Sequence, residues 1–512
     1  MRIFLLALFL PFFSISLQAQ TLSSMVVDSV TQEPIPYATI RVGERGSITN
    51  EEGRFTIVLP NGTTANDTLF ISSMGYESIG KPIAQYTEKV VALAPKAIAL
   101  NNVIVSNKQY TGEELIDLVQ DRMDDNYSSD LSKRRVFFRD AFHQHMMRFD
   151  YTFIKSTIDV LNKPFMDSII GTLPRKSSYY TEILGDLYGD GLAERHKLKL
   201  IKASELYDKN NMLEFESVEK KFNEIIQENV KPNSYFKIKS GILPLGKVEG
   251  EEFAELFETP ADSTDAEALK KELEKKKESE KERKTNYLKY RKNAVGNLLR
   301  DQFFHEDTPL DFIQKSRKYE FDIKDFTYMG DAAVYIVGFK PKRSADYRGT
   351  LYIDSEDFAI LRVDYENTES LRTFKLLGVG MDQYLKKGKQ LYAKNAQGKY
   401  TLQFLEQEQG TDVSVKRPIK IIELNKVVKG RNKQNELSGK IDMKSRGTNK
   451  QELVIFDEHV LSSDEFGAFE EKNNVLPKYM PKYDPSYWEG HAIIEPNKAI
   501  RDFTAATPPS ED

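Results

Sequence analysis

The sequence predicts a β-rich α+β fold in two parts: an N-terminal antiparallel β-sandwich, and a larger body with an antiparallel sheet and a long charged helix. Three observations support this prediction. Short alternating segments recur at regular spacing near the N-terminus, a second set fills Tyr319–Lys426, and a charged stretch with helical pairing lies between them. Forty per cent of the 512 residues are apolar, which is enough for a sizeable core.

The first 19 residues have the layout of an export signal. Met1-Arg2 precedes an almost wholly apolar run, Ile3–Leu17, and the small residue Ala19 stands at a plausible cleavage position. This run is too short and too interrupted by proline for a good membrane span. We therefore interpret residues 1–19 as a signal peptide and expect an exported protein; a buried N-terminal helix is the alternative.

Composition argues against several classes of protein. The 73 basic and 78 acidic residues give a formal net charge of -5, so we expect no nucleic-acid partner, which would require a basic face. The chain has no cysteine, which excludes disulfides, thiol catalysis and thiolate metal sites. No later segment reaches about 18 consecutive apolar residues, so the mature chain is predicted to have no transmembrane span.

The first domain is placed at residues 22–105, where strand signals are short and regularly spaced. In Tyr37–Val42, alternation places Ala38, Ile40 and Val42 on one face. The strands that we predict are Leu22–Val27, Tyr37–Val42, a strand through Phe55, Ile57 and Leu59, Thr68–Ser72, Val90–Leu93 and Val103–Val105. Several short strands at this spacing favour an antiparallel sandwich.

The turn Asn50–Gly53 lies inside this domain and is acidic. A calcium loop needs regularly spaced oxygen ligands over a longer segment, and this turn lacks both. We therefore interpret it as a solvated turn, in which Gly53 adopts positive φ at little steric cost.

Four segments of this domain resemble a known family. Asp28, Pro34–Ala38, Thr49–Phe55 and Gly75-Tyr76 are similar to the carboxypeptidase-regulatory-like module, a prealbumin-like β-sandwich. That module begins many exported proteins, including glycan-scavenging receptors in the outer membrane of Gram-negative bacteria. The resemblance implies an accessory domain without peptidase activity, in the periplasm or at the outer membrane or cell surface of a Gram-negative bacterium.

The body is placed at residues 108–465 and begins with a predicted helix, Tyr110–Tyr127. Thr111 and Glu114 have capping-box spacing, and an apolar stripe follows, formed by Leu115, Leu118, Val119 and Met123. A β-rich region is expected from Val136. Two of its segments, Arg135–Asp140 and Ser156–Val160, resemble segments that follow the same module in envelope proteins of unassigned function.

A long charged helix is predicted at about residues 265–293. Lys271–Lys284 holds 12 charged residues in 14, and Glu272/Lys276 is one of its i,i+4 pairs in the favourable order. With so few apolar positions, this helix is interpreted as a solvated arm or linker. An arm that binds a partner is the alternative.

The segment Tyr319–Lys426 is predicted to form a β-meander. Its strands are Asp322–Tyr328, Ala333–Phe339, Gly349–Ile353, Phe358–Tyr365, Leu391–Ala393, Lys399–Glu406 and Ile419–Asn425. The hairpin through Tyr347–Asp354 and Ala359–Val363 is similar to hairpins of lipoprotein-carrier-type half-barrels. That resemblance implies a sheet that curls around an apolar cavity able to hold a lipid chain; ordinary core packing is the alternative.

No catalytic motif was found. The six histidines, His143, His145, His196, His305, His459 and His491, form no H-E-x-x-H motif, and no G-x-S-x-G is present. His143 and His145 share a face if they lie on a strand, but we interpret them as a structural pair. We therefore predict no metal site, no cofactor and no enzymatic activity. Carboxylates are too numerous to identify an acid/base pair from spacing.

The C-terminal region is divided into a Pro/Tyr-rich strap, residues 466–503, and a disordered tail, residues 504–512. The strap repeats Pro-x-Tyr, which favours extended backbone, and its rings suit sugar stacking or contact with another protein. The candidate ligand-binding residues are Tyr479, Tyr483, Tyr487 and Trp488. The alternative is that these rings pack on the sheet. Trp488–Gly490 and Ile493–Pro496 resemble the closing segment of the same envelope proteins.

Together these observations predict a non-catalytic, exported cell-envelope protein that acts by binding an apolar ligand such as a lipid, a glycan or a partner protein. The alternative is an envelope hydrolase, acting on glycan or peptide, with an unrecognised carboxylate site.

Overall fold

The computed structural model describes residues 21–43, 45–60, 62–86, 89–96, 110–191, 195–209, 225, 228–229, 234–240, 243–249, 266–330, 332–343, 345–427, 432–472 and 474–505, with backbone alone at 243–249 and 266–280. The predicted signal peptide, the predicted strand Val103–Val105 and most of the predicted tail, residues 506–512, lie outside the described residues.

The N-terminal domain is a sandwich of two small sheets, as predicted. Its strands are β1 (Thr21–Asp28), β2 (Thr39–Val42), β3 (Arg45–Ile48), β4 (Arg54–Val58), β5 (Thr68–Ser72), β6 (Ile79–Pro82) and β7 (Val90–Leu93). The orders are β4-β1-β7 and β3-β2-β5-β6, and of the strands described in this domain only β1 and β7 pair in parallel. Ile40, Phe55 and Leu69 are fully or almost fully buried between the two sheets.

The body is built on a 14-stranded sheet. Its strands are β8 (Ser132–Ser156), β9 (Lys176–Gly189), β10 (His196–Tyr207), β11 (Ser234–Ser240), β12 (Leu243–Glu249), β13 (Tyr319–Met329), β14 (Ala332–Pro341), β15 (Tyr347–Asp354), β16 (Ile360–Asn367), β17 (Arg372–Leu376), β18 (Val379–Lys394), β19 (Tyr400–Asn425), β20 (Lys433–Val460) and β21 (Lys478–Met480). The main order is β13-β14-β15-β16-β18-β19-β20-β8-β9-β10-β21, while β11 pairs with β12 and β19, and β17 pairs with β18.

The two faces of the central strands carry different layers. Phe138 and Leu453 face a core that contains the end of the long helix, and we call this side the helical face. Their neighbours Phe137 and Val454 point the other way, because strand residues alternate, and contact the N-terminal sandwich and the strap. We call that side the sandwich face.

Helices occupy few of the residues that the structure describes. They are Gly112–Asp121, Met123–Asn126, Lys163–Thr172, Ala266–Arg300, Ser463–Ala468 and Lys498–Arg501, with 3-10 turns at Ile83–Gln85, Ser316–Lys318 and Pro485–Trp488. The predicted capping box of Thr111 and Glu114 is present in the first helix. Among the described residues, no helix is both long enough and apolar enough to cross a membrane.

The long helix differs from its prediction in length and in role. It continues to Arg300, and Leu288, Val295 and Leu298 are buried in the core of the helical face. The interpretation as a solvated arm is therefore wrong for this C-terminal part. The reason is that its apolar residues come after the charged run on which the prediction was based.

The meander Tyr319–Lys426 has the predicted hairpin, in which β15 and β16 pair antiparallel. One prediction was wrong: Lys399–Glu406 and Ile419–Asn425 are two parts of the single strand β19. The helical face of β13–β16 is packed with fully buried side chains that follow the long helix, including Phe303, Leu310 and Phe312. Ordinary core packing therefore accounts for this part of the sheet.

Candidate functional site

Three of the four aromatic residues proposed from the sequence, Tyr483, Tyr487 and Trp488, lie on the sandwich face, whereas Tyr479 alternates with Met480 at the sheet edge and points the other way. All four contact the body. Trp488 is 2% exposed and donates from Nε1 to Glu182, at 2.8 Å; Tyr483 is 8% exposed. The hydroxyl of Tyr487 donates to the Ala203 carbonyl, and that of Tyr479 to the Tyr207 carbonyl. All of these contacts are those of a packing strap.

Lysine side chains cover the strap rings that are only partly buried. The ammonium group of Lys202 lies 4.3 Å from the ring centroid of Tyr487, and that of Lys209 lies 3.8 Å from the ring of Tyr479. Lys482 bridges to Thr504 through the backbone, and the Ala505 N–H donates to the Pro481 carbonyl at 2.7 Å, so the strap continues two residues into the predicted tail.

A buried charge network holds the strap to the sheet. Arg139 and Glu182 are almost completely buried, and their closest nitrogen and oxygen are 2.7 Å apart. Arg139 also lies 3.3 Å from Glu452 and donates to the Ile494 carbonyl. Burial by itself would lower the pKa of Arg139, but the two carboxylates outweigh it and raise this pKa.

The acidic turn of the sandwich docks against the strap, and its interpretation as a solvated turn is wrong. Asn50 is 2% exposed and donates to the carbonyls of Glu495 and Pro496. Glu52 accepts from Arg501 at 2.6 Å. A turn sequence alone does not show what covers it, so this docking could not be predicted.

A polar cleft opens beside the docked turn. It has a volume of about 610 Å³, and its wall includes Tyr37, Glu406 and Lys450. The hydroxyl of Tyr37 donates to Glu406 at 3.0 Å. Burial, reinforced by the charge of Glu452, raises the pKa of Glu406, while burial lowers the pKa of Lys450.

The cleft also brings three carboxylates together. Oxygens of Glu51, Glu406 and Glu452 all lie within 4.8 Å of one another. Lys450 contacts all three, at 3.0 Å from Glu406 and 3.9 Å from Glu452. A cation of the protein itself therefore balances this cluster, and it provides no argument for a bound metal.

Beyond the docked sandwich, the long strands continue as what we call the distal sheet: residues 142–156 of β8, 379–383 of β18, 411–424 of β19, 433–449 of β20, and the whole of β17. Cross-strand partners point to the same face of a sheet. Met443 lies on the same side of β20 as Leu453, so its row belongs to the helical face.

The helical face of the distal sheet is apolar across five strands. Two successive rows run across β17, β18, β19, β20 and β8. The first row is Phe374, Met381, Val413, Ser445 and Met146, and the second is Leu376, Val379, Val415, Met443 and Phe149. We call these two rows the apolar distal face.

The opposite side of the same strands is charged. Asp412 accepts from Arg446 at 2.7 Å, and Asp442 lies 2.6 Å from Arg148. The ion pair with Arg446 lowers the pKa of Asp412, which keeps this side ionised at neutral pH. The distal sheet therefore has one apolar and one ionic face.

Much of the apolar distal face is open to solvent. The exposed fractions are 47% for Phe374, 57% for Leu376, 39% for Met381 and 38% for Val413. Contiguous exposed apolar patches on soluble proteins mark sites of interaction more often than isolated apolar residues do. This face is therefore the strongest candidate for a binding surface.

Local sequence explains the edge of this surface. β17 and β18 are joined by a tight turn in which Leu377 has φ 50° and Gly378 has φ 81°. A Cβ atom at Gly378 would lie 2.3 Å from the Lys416 carbonyl oxygen, so only glycine fits the close approach to β19. The guanidinium of Arg417 donates to the Leu377 carbonyl and fixes the turn.

Sequence reasoning missed this surface, although a signal was present. Alternating apolar residues occur in each contributing strand, for example Phe374/Leu376, Val413/Val415 and Ile441/Met443. No single pair was long enough to predict a strand, and only the register across five strands joins them.

The comparisons with known proteins concern mainly the N-terminal sandwich. A family model described as CarboxypepD_reg-like domain matches residues 22–105. Residues 22–105 are a CarboxypepD_reg-like domain. The match confirms the resemblance of Pro34–Ala38 and Thr49–Phe55 to this module. The CarboxypepD_reg-like domain is therefore the unit whose Asn50 donates to the Glu495 carbonyl.

Two other comparisons give no information about the fold or function of the chain. No curated protein matches the chain. Among solved structures, a complex of Pseudomonas aeruginosa MucA and MucB is similar at 5% identity, over 68% of this chain and 100% of that chain, with a TM-score of 0.14. At that TM-score the likeness supports no statement about fold or function.

Proposed function

We propose that this protein is a non-catalytic, exported protein of the cell envelope that binds an apolar ligand on the apolar distal face. The observation that carries the proposal is the pair of apolar rows that begin at Phe374 and Leu376, are exposed on β17 and β18, and continue partly exposed across to β8. The signal-like residues 1–19 and the CarboxypepD_reg-like domain support export, since that module is an accessory domain of exported proteins.

The energetics of the surface suit an apolar ligand. Removing a large apolar side chain from water contributes roughly 1.5–3 kcal/mol when burial is complete. Phe374, Leu376 and Met381 are each partly exposed, so a ligand that covers them gains a share of that energy. The distal sheet is preformed by backbone pairing, which lowers the ordering cost of binding.

Glycan or protein contact through the strap has less support. Trp488 and Tyr483 are buried, and a ring that packs on the sheet presents no face for a sugar to stack on. The strap would have to leave the sheet before these rings could bind, and this would break the contact of Trp488 with Glu182.

The proposal is tested by binding an apolar fluorescent probe and by mass spectrometry of organic extracts of the purified protein. We expect a co-purified apolar molecule, and weaker probe binding by Met381→Glu, which places a charge in the first row. Thr152→Glu is the matched control, because Thr152 is exposed in the same sheet but points to the sandwich face. Equal probe binding by all three proteins would refute the proposal.

A second candidate function, an envelope hydrolase, rests on the polar cleft. A buried carboxyl with a raised pKa, such as Glu406, has the character of a general acid, and Glu452 lies beside it. Hydrolysis of a glycan or peptide by the purified protein, abolished in Glu406→Gln, would establish this candidate. Activity that is unchanged in Glu406→Gln would rule out this carboxyl.

A further inference from the structure

We infer that the apolar ligand is the surface of an anionic lipid membrane, which contacts the apolar distal face along its β17–β18 edge. The inference rests on the proposed function and names the source of its ligand. It is carried by two observations that are independent of the apolar rows: the charge of the distal sheet and the shape of its edge.

The charge of the distal sheet is opposite to that of the whole chain. The strands that define the distal sheet, residues 142–156, 372–376, 379–383, 411–424 and 433–449, contain 11 Lys and Arg against 6 Asp and Glu, a local balance of +5. The complete chain has a formal net charge of -5. By strand alternation most of these cations point to the ionic face, while Arg372 and Arg417 share the side of the apolar rows. A sheet edge that is cationic on one side and apolar on the other attracts anionic headgroups while its apolar side chains enter the boundary with the acyl chains.

The edge of the distal sheet is shaped for such contact. β17 is exposed along its whole length, and the turn that follows presents Leu376 and Leu377, each 57% exposed. Arg372 and Lys375 belong to the same exposed strand and flank this apolar group. Long cationic side chains can keep their heads among lipid phosphates while their stems lie along the apolar layer.

The edge is also held in place. Arg417 donates to the carbonyl of Leu377 in the turn and to the hydroxyl of Ser240 at the end of β11. The turn is therefore tied to two neighbouring strands instead of protruding freely. A positioned apolar edge loses less conformational entropy on insertion than a mobile loop does.

The same charge argues against a second copy of this chain as the occupant. Two copies that met through their apolar distal faces would place Arg372 and Arg417 of both copies in the interface, and like charges across an interface reduce affinity. An anionic bilayer has the complementary charge. The opposing carboxylates on the ionic face, such as Asp412 and Asp442, are already paired with Arg446 and Arg148.

The test is co-sedimentation of the full-length mature protein with vesicles of phosphatidylcholine, with and without phosphatidylglycerol. We expect binding to the anionic vesicles that weakens as salt is added. Arg372→Gln/Lys375→Gln should weaken it roughly tenfold to thirtyfold, because each cation near the surface contributes about 1 kcal/mol. Leu376→Asp/Leu377→Asp should weaken it at least as much.

The control removes two charges elsewhere: Lys342→Gln/Arg343→Gln, both exposed after β14, should bind as the unchanged protein does. The inference would be overturned if the protein did not bind the vesicles, or if all the variants bound them as well as the unchanged protein does. If the apolar probe still binds and Met381→Glu still weakens it, the proposed function survives that failure. Sedimentation velocity that shows a dimer lost in Leu376→Asp/Leu377→Asp would identify a second copy as the occupant and would also overturn the inference.

Discussion

The Arg139 guanidinium and the Glu182 carboxylate are 2.7 Å apart and almost completely buried between the sheet and the strap. Each has partners on other segments: Arg139 contacts Glu452 and the Ile494 carbonyl, and Glu182 accepts from Trp488. The pair therefore joins β8 and β9 to β20 and to the strap. Replacing either residue should therefore weaken the packing of both the sheet and the strap.

Arg139→Leu is expected to lower the free energy of unfolding by about 3–5 kcal/mol, because it leaves Glu182 buried without its cation. Urea denaturation followed by circular dichroism measures this. Arg139→Leu/Glu182→Leu should recover part of the loss, since it removes the unpaired charge. A double variant less stable than the single variant would contradict this account of the pair.

Trp488→Ala is expected to lower the free energy of unfolding by about 3–5 kcal/mol, as removal of a buried aromatic ring does. Tyr479→Ala should cost much less, since Tyr479 is only partly buried at the sheet edge. Thermal melts compare the two. An unchanged melting temperature for Trp488→Ala, with loss of glycan or protein binding, would instead make the strap a ligand platform.

Leu298→Ala tests the buried end of the long helix. Leu298 is 1% exposed, so we expect a loss of about 2–5 kcal/mol in the free energy of unfolding. Tyr290→Ala is the matched control on the same helix, because Tyr290 is 64% exposed, and it should change stability by less than about 0.5 kcal/mol. Similar losses from both would show that the helix is not packed as described.

The stability of the protein should depend on pH through Glu406, whose pKa is raised by burial and by Glu452. A raised pKa means that the folded protein favours the protonated carboxyl. The contribution of the protonated Glu406 carboxyl to the free energy of unfolding is therefore complete below the ordinary pKa of about 4.3. This contribution is lost as the pH rises through the higher pKa of the folded state. Relative to Glu406→Gln, the unchanged protein should lose stability as the pH rises above about 4.3, the ordinary pKa of a glutamate.

Denaturant titrations of both proteins at several pH values above about 4.3 measure the difference between their free energies of unfolding. A difference that stays constant with pH, or that moves in favour of the unchanged protein as the pH rises, would show that Glu406 is not held in the environment described here.

Local patterns predicted much of the fold where short segments determine their own structure. Thr68–Ser72 and Val90–Leu93 are strands with the predicted bounds, and the capping box at Thr111 is present, because alternation and capping are local effects. The alternation of Ala38, Ile40 and Val42 also placed these residues correctly in the sandwich core.

Contacts between distant segments could not be predicted in this way. Alternation places Tyr37 on the opposite side of its strand from Ala38, Ile40 and Val42, but it does not show that Tyr37 is buried there against Glu406 and stacks on Phe404. β19 was divided in two because Pro418 and the charges around it interrupt the apolar pattern, whereas pairing with β20 continues through Pro418. The apolar distal face arises from such pairing and therefore has no signature in any single segment.

Photo-crosslinking with a fatty acid that carries a diazirine group shows directly whether an apolar ligand binds on the apolar distal face. After irradiation of the complex and proteolysis, mass spectrometry identifies the labelled peptides. The account predicts labels on the strands of the apolar distal face, above all at Phe374, Met381 and Val413, and reduced labelling in Met381→Glu. Labels confined to the polar cleft or to the strap around Trp488 would contradict it.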